Sequence, residues 1–137
     1  MKKKEEKLQT QISRYLRLQY PNVMFTSSPS GVRLNMGQAR TMLSQQNPRK
    51  GWPDLMIMQI AKKEGKVFAG LFIELKQEGY ELFKQDGTLR KNEHIECQNE
   101  VHQKLRERGY FAVFSVGFEE TKKLIDWYLS DGDVDNS

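Results

Sequence analysis

Two acids and a lysine sit where an apolar chain rarely keeps them. "GWPDLMIM" (51–58) opens a run of strand-forming apolar residues with Pro53 and Asp54, and "GLFIELKQ" (70–77) carries Glu74 and Lys76 on a second such run. Proline and ionised groups are both uncommon inside buried strands. Alternate residues of a strand share a face, so Glu74 and Lys76 point the same way, about 6.6 Å apart at ~3.3 Å per residue. Leu71, Ile73 and Leu75 then face the other side, toward a helix. If the two runs pair as a hairpin, Asp54 at the beginning of one lies beside Glu74 near the end of the other.

Neighbouring carboxylates repel and hold a proton unless a cation lies between them. A hard divalent ion suits the position: Mg²⁺ takes oxygen ligands at ~2.0–2.1 Å, keeps several waters, and is commonly shared between one or two carboxylates and a substrate phosphate. Lys76 beside it could orient or help deprotonate a water, or stabilise charge on the phosphate. Pro53 lacks an N–H and so belongs at a strand start, where Asp54 can turn from the ladder toward a ligand. The same residues also fit a half-exposed strand whose Glu and Lys form a surface ion pair worth ~0–1 kcal/mol. An aspartate followed at a distance by Glu-x-Lys is a loose pattern, and taken alone it favours that plainer reading.

The elements that position these residues follow from periodicity. Leu8, Ile12, Tyr15 and Leu16 fall at helical spacing between Glu5 and Gln19, and Pro21 closes the segment. "NVMFTSS" reads as a short strand. The polar stretch after it, up to Gly51, is long for a plain connection, with a short helix from Gln38 to Gln45, and long loops of this kind are functional or disordered. "DLMIMQI" and "VFAGLFIELK" are the two strands of the hairpin, joined by a polar turn at "AKKEGK". A polar loop leads to a helix from Ile95 to Arg108, stopped by Gly109. "YFAVFSV" is a buried strand, and "FEETKKLIDWYL" a last helix with Leu124, Trp127, Tyr128 and Leu129 toward the core. The order is α-β-β-β-α-β-α, an α/β fold in one domain over 1–130, with an acidic, frayed tail at 131–137.

At 137 residues the chain can bury a core without disulfides, and its one cysteine, Cys97, cannot form an internal bridge. Single-cysteine usage fits a reducing compartment, and no apolar stretch approaches the ~20 residues that span a bilayer. The expected location is the cytoplasm, with no membrane partner. The formal net charge is +4 although Asp131, Asp133 and Asp135 are concentrated in the tail, so the body is more basic still. Such a charge favours polyanions without establishing one. No Gly-rich phosphate loop is present, so no nucleotide cofactor is expected. His94, Cys97 and His102 lack a fourth partner for structural zinc. His102, four residues after Gln98, shares its helix face, which allows a secondary role at the site, and it reads first as an ordinary, partly exposed histidine.

Taken together, "GWPDLMIM", "FIELK" and "ECQNEVHQKLRERGYFAVF" resemble the VRR-NUC branch of the PD-(D/E)XK nucleases, found as small phage-type nucleases and as the catalytic module of a eukaryotic structure-specific nuclease. The likeness runs from about Glu5 to Leu129. It combines a glycine two residues before Pro-Asp-Leu, an apolar residue before Glu-Leu-Lys, and a glutamine twelve residues before the tyrosine of Gly-Tyr. The resemblance implies a restriction-endonuclease-like core with a mixed central sheet flanked by helices. It implies that Asp54, Glu74 and the main-chain carbonyl of Leu75 bind Mg²⁺ or Mn²⁺, that Lys76 is the catalytic lysine, and that Gln98 lies near the active site. "EEKLQ" places Glu5 at the family's first-helix glutamate, with Gln9 after it; Glu6 is adjacent, and a solvated acid at a helix start is an equal reading of Glu5.

The chain departs from the family at "PSG", where Pro-Asn-Gly is common, so Ser30 changes what that loop can contact. Arg33, Arg40, Arg49 and Lys50 lead into Asp54, where they could neutralise phosphates beside the scissile bond; such contacts position a duplex without choosing its sequence. The implied activity is a Mg²⁺-dependent endonuclease on DNA; the alternatives are a basic DNA-binding or scaffolding protein that does not cut, and a nuclease for flaps, duplex DNA or RNA. Branched substrates of the Holliday-junction type and a homodimer follow from the resemblance alone.

Overall fold

A computed structural model describes residues 2–28 and 34–130. Ser30, Arg33 and the acidic segment 131–137 lie outside the described residues. Helix α1 (Lys2–Gln19) presents Leu8, Ile12 and Leu16, four residues apart, as one buried stripe. After β1 (Phe25–Ser27) comes α2 (Met36–Ser44), close to the expected short helix. Asn35 starts it with a reciprocal cap: its side chain accepts the Gln38 N–H at 2.8 Å, and the Gln38 side chain accepts the Asn35 N–H at 3.0 Å. Then follow β2 (Leu55–Ile57), β3 (Ala61–Lys63), β4 (Lys66–Phe68) and β5 (Leu71–Lys76). Helix α3 (Glu93–Glu107), capped by Asn92, leads to β6 (Phe111–Val116) and α4 (Gly117–Tyr128).

The central sheet has the order β1-β2-β5-β6, with the first two pairings antiparallel and β5–β6 parallel. It is a mixed sheet. Set aside α2 and the separate β3–β4 hairpin, and the remaining elements run α-β-β-β-α-β-α, as expected from the sequence. The joining of the central strands differs. The runs 54–60 and 67–76 are each broken, and β2 meets β5 across an inserted hairpin that turns at Glu64 and Gly65. Gly70 marks the break, because a Cβ there would stand 3.0 Å from the Ile57 carbonyl oxygen. On either side of it the chain bonds toward β6, with Ala69 N donating to Gly109 O and Phe111 N donating to Gly70 O.

Helices cover both faces of this sheet. Leu55, Ile57, Leu71, Ile73 and Leu75 pack against α1 and against Ile125 and Tyr128 of α4. Leu71, Ile73 and Leu75 thus face helices as expected, and each buried Leu or Ile stabilises the fold by about 1.5–3 kcal/mol. On the opposite face Phe72 and Ala112 meet Val101 and Leu105 of α3, with Trp52, Met56 and Tyr110 at the margin. Trp127, expected in the core, is instead half-exposed and lies against Phe111. Its neighbour Asp126 clasps α1 to α4 by accepting from Tyr15 at 2.5 Å, Tyr20 at 2.7 Å and Lys122 at 3.0 Å. No helix among the described residues is long and apolar enough to cross a membrane.

Candidate active site

The register that pairs Leu55 with Ile73 carries Asp54 to a position opposite Glu74. Asp54 ends the ladder in an unusual way. Its carboxylate Oδ2 accepts the main-chain N–H of Leu75 at 2.8 Å, so a side chain fills a position that strand backbone would otherwise take. Its own carbonyl accepts from Ser28 N at 2.8 Å and from Gln9 Nε2, on α1, at 3.1 Å. Gly51 explains the glycine of "GWPD". It has φ +91, and a Cβ would come within 2.8 Å of the Cys97 carbonyl oxygen and 2.9 Å of Val101 Cγ2, so the segment entering β2 can lie against α3 only without a side chain.

Glu74 and Lys76 point to the α3 side of the sheet, beyond Phe72, and are only 5 % and 6 % exposed. This excludes a solvated surface ion pair. Helix α3 supplies Gln98 between them: Nε2 donates to Glu74 Oε2 at 3.0 Å, and Oε1 accepts from Lys76 Nζ at 3.0 Å. Lys76 Nζ stands 3.7 Å from Glu74 Oε2. The amide thus bridges the carboxylate and the ammonium. Glu74 Oε1 is buried and, among the described residues, receives no hydrogen bond.

The electrostatics follow from this crowding. Burial, then the charge of Asp54, push the Glu74 carboxyl well above the usual carboxylate range, with Lys76 opposing. Burial raises Asp54 as well, against the bond with Glu74, the Leu75 N–H and the charge of Lys76. Without a cation the pair relieves its repulsion by sharing a proton. Two buried carboxylates, one with an oxygen that no donor reaches, are a hard-oxygen donor set for a divalent cation.

Glu5 lies beside this pair. Burial raises its carboxyl; Lys76 and a bond from the Gln77 backbone lower it, and Asp54 raises it. It does not merge with the other two, since among the described residues no three His, Cys, Asp or Glu side chains gather into a metal-holding cluster. Arg40 is exposed on α2, and Arg49 and Lys50 are exposed on the segment between α2 and β2. Arg49 Nε donates to the Leu43 carbonyl at 3.3 Å, and among the described residues none of the three forms an ion pair with Asp54 or Glu74.

His102 departs from expectation. It is fully buried, not partly exposed, with Phe114 at 4.5 Å between ring centroids and neither ring nitrogen hydrogen-bonded. Burial, then Arg106 and Lys76, lower its pKa to about 4. Tyr80 gave no signal in the sequence, and it places its ring over the Lys76 ammonium at 5.1 Å.

A solved structure described as a VRR_NUC domain protein has 23% sequence identity to this chain and a TM-score of 0.61, covering 92% of this chain and 88% of that one. The two share one fold. That fold is the mixed central sheet flanked by helices described above, with Asp54 and Glu74 facing each other on its neighbouring strands and Lys76 two residues beyond Glu74. No family model and no curated protein matches the sequence.

Proposed function

We propose that this chain is a divalent-metal-dependent DNA endonuclease that hydrolyses phosphodiester bonds. One observation carries the reading: Asp54 and Glu74 are buried side by side on neighbouring strands, with an oxygen of Glu74 lacking any donor and Lys76 held next to it through Gln98. A binding protein has no use for that arrangement, because two acids at its centre repel phosphate. The fold shared with a VRR_NUC domain protein supports a nuclease-type domain.

Asp54 and Glu74 would hold Mg²⁺ or Mn²⁺, with the Leu75 carbonyl as a further ligand from the strand; Glu5 of α1, which stands beside the pair without gathering into one group with it, would join them only by turning toward the ion. When bound, such an ion would supply Lewis-acid stabilisation of the phosphate and make a nearby water more acidic. The Leu75 N–H fixes the Asp54 carboxylate, and Gln98 fixes Glu74, so neither ligand must be ordered when substrate arrives. Lys76 would donate to a phosphate oxygen or orient the attacking water; in-line attack breaks the P–O bond to the leaving sugar oxygen, which takes a proton from solvent while the attacking water gives one up to it, with no covalent enzyme intermediate. Arg33, Arg40, Arg49 and Lys50 would neutralise the backbone on either side, and Ser30 from the same stretch would offer it a hydroxyl hydrogen bond. The substrate is branched DNA of the Holliday-junction type, and a homodimer places two sites for two strands.

The test is a panel of labelled four-way junctions, flaps, linear duplexes and RNA, each with Mg²⁺, Mn²⁺ or chelator. Cleavage of junctions that needs the metal and disappears in Asp54→Ala, with DNA binding retained, is the expected result. Equal activity in Asp54→Ala overturns the catalytic assignment, and preference for linear duplex overturns the branched substrate. A light-scattering mass of one chain overturns the dimer.

A further inference from the structure

The chain does not leave the site after Lys76. Gln77 to Tyr80 form a tight turn in which Tyr80 N donates to the Gln77 carbonyl at 3.0 Å. Gly79 has φ +83 while Glu78 before it does not have a positive φ, the pattern of a type II turn. The turn carries Tyr80 back over the strand it has just left. Its ring centre stands 5.1 Å from Lys76 Nζ, and the ring of Phe114, on the neighbouring parallel strand, stands 5.9 Å from the same atom. Both distances fall within the ~6 Å at which a ring face attracts a cation.

The ammonium therefore has two kinds of partner. Gln98 Oε1 and Glu74 Oε2 are polar, at 3.0 and 3.7 Å, and the rings of Tyr80 and Phe114 are not hydrogen-bond acceptors of ordinary strength. A third carboxylate in their place would bind Lys76 firmly and compete with a phosphate for its N–H groups. Ring faces attract the charge and leave donors available. Phe114 is built into the sheet, pairing in register with Glu74 and resting on His102. Tyr80 belongs to no strand or helix, and it and Phe114 border one groove between α3 and β6.

We propose that Tyr80 is a positioning residue: its ring closes an aromatic clamp, with Phe114 as the fixed wall, that holds the Lys76 ammonium beside Glu74 for the reaction. This rests on the nuclease reading for its catalytic consequence and on geometry alone for the clamp. The ring face, not the hydroxyl, does the holding, so phenylalanine should substitute and an aliphatic side chain of similar size should not.

The experiment compares full-length wild type, Tyr80→Phe and Tyr80→Leu in Mg²⁺-dependent cleavage and in ¹³C-resolved proton spectra of Lys76. Tyr80→Leu should lower kcat about tenfold, the scale of one partly desolvated ring–cation contact, with KM within about twofold. Tyr80→Phe should keep most of the activity. In wild type and Tyr80→Phe the Lys76 Hε protons should be shifted upfield by the ring, and in Tyr80→Leu that shift should shrink. Wild-type kcat in Tyr80→Leu, loss of activity in Tyr80→Phe, or Lys76 Hε protons unshifted in wild type would each overturn the proposal. If the wild type cleaves no nucleic acid, the nuclease reading fails, and the spectra still decide whether Tyr80 grips Lys76.

Discussion

Asp54 Oδ2 accepts the Leu75 main-chain N–H at 2.8 Å, so the first acid of the site is bonded to the backbone one residue beyond the second, Glu74. Asparagine could keep that bond and remove the charge. Asp54→Asn is therefore expected to lower Mg²⁺-dependent cleavage by at least about a hundredfold, the upper range seen even for indirect partners of metal ligands. In chelator its melting temperature should not fall and is expected to rise by a few degrees, because a buried repulsion is relieved. Wild type should gain stability on adding Mg²⁺ or Mn²⁺, and the variant should not. Melting curves with and without metal read both effects.

Among the described residues, Gln98 is the one side chain that bonds both Glu74 and Lys76. Gln98→Ala frees the two at once and is expected to reduce kcat about ten- to hundredfold with little change in KM. Gln98→Glu should be worse, since it sets a further acid against Glu74. Steady-state kinetics on one DNA substrate separate the two variants.

Gly51 tests the fold beneath the site. Gly51→Ala meets a positive φ, which costs about 1–3 kcal/mol for a residue with a Cβ, and a carbonyl oxygen on α3 at 2.8 Å that has no freedom to withdraw. A loss of at least about 2 kcal/mol is expected, seen as a lower urea midpoint with an unchanged slope.

His102 sets an acid limit on stability. The unfolded imidazole binds a proton below its ordinary value of 6.5, whereas burial, reinforced by Arg106 and Lys76, delays protonation in the folded protein to about 4. In that window the unfolded chain holds more protons. Stability is full above pH 6.5, falls as pH drops toward 4, and levels off below, with a loss on the order of 3 kcal/mol. Urea unfolding of wild type and His102→Leu at pH 7, 5.5 and 4.5 should show that slope only in wild type, over and above any slope common to both.

The core of the site was legible because it obeys the strand period. Glu74 and Lys76 share a face by counting, and antiparallel pairing brings Asp54 to Glu74 whatever joins the strands. The connection was not legible. Gly70 reads as one more residue in an apolar run, and only the approach of the Ile57 carbonyl shows why the strand must break there. His102 lies at helical spacing from Gln98, but its burial depends on Phe114, which a different strand contributes. Tyr80 sits in a polar segment without periodicity, so nothing local marks it. Gln9 was visible as a letter of the first helix, and its bond to the Asp54 carbonyl depends on how α1 crosses the sheet.

The inserted hairpin separates the two acids along the chain while the sheet reunites them in space. A cut at the Glu64–Gly65 turn leaves Asp54 on one fragment and Glu74, Lys76 and Gln98 on the other. Neither half owns both buried acids, and restoring the pair requires re-forming the contacts between β2 and β5. The turn is thus a natural place to split the protein for fragment complementation, with recovered DNA cutting as the reporter of reassembly.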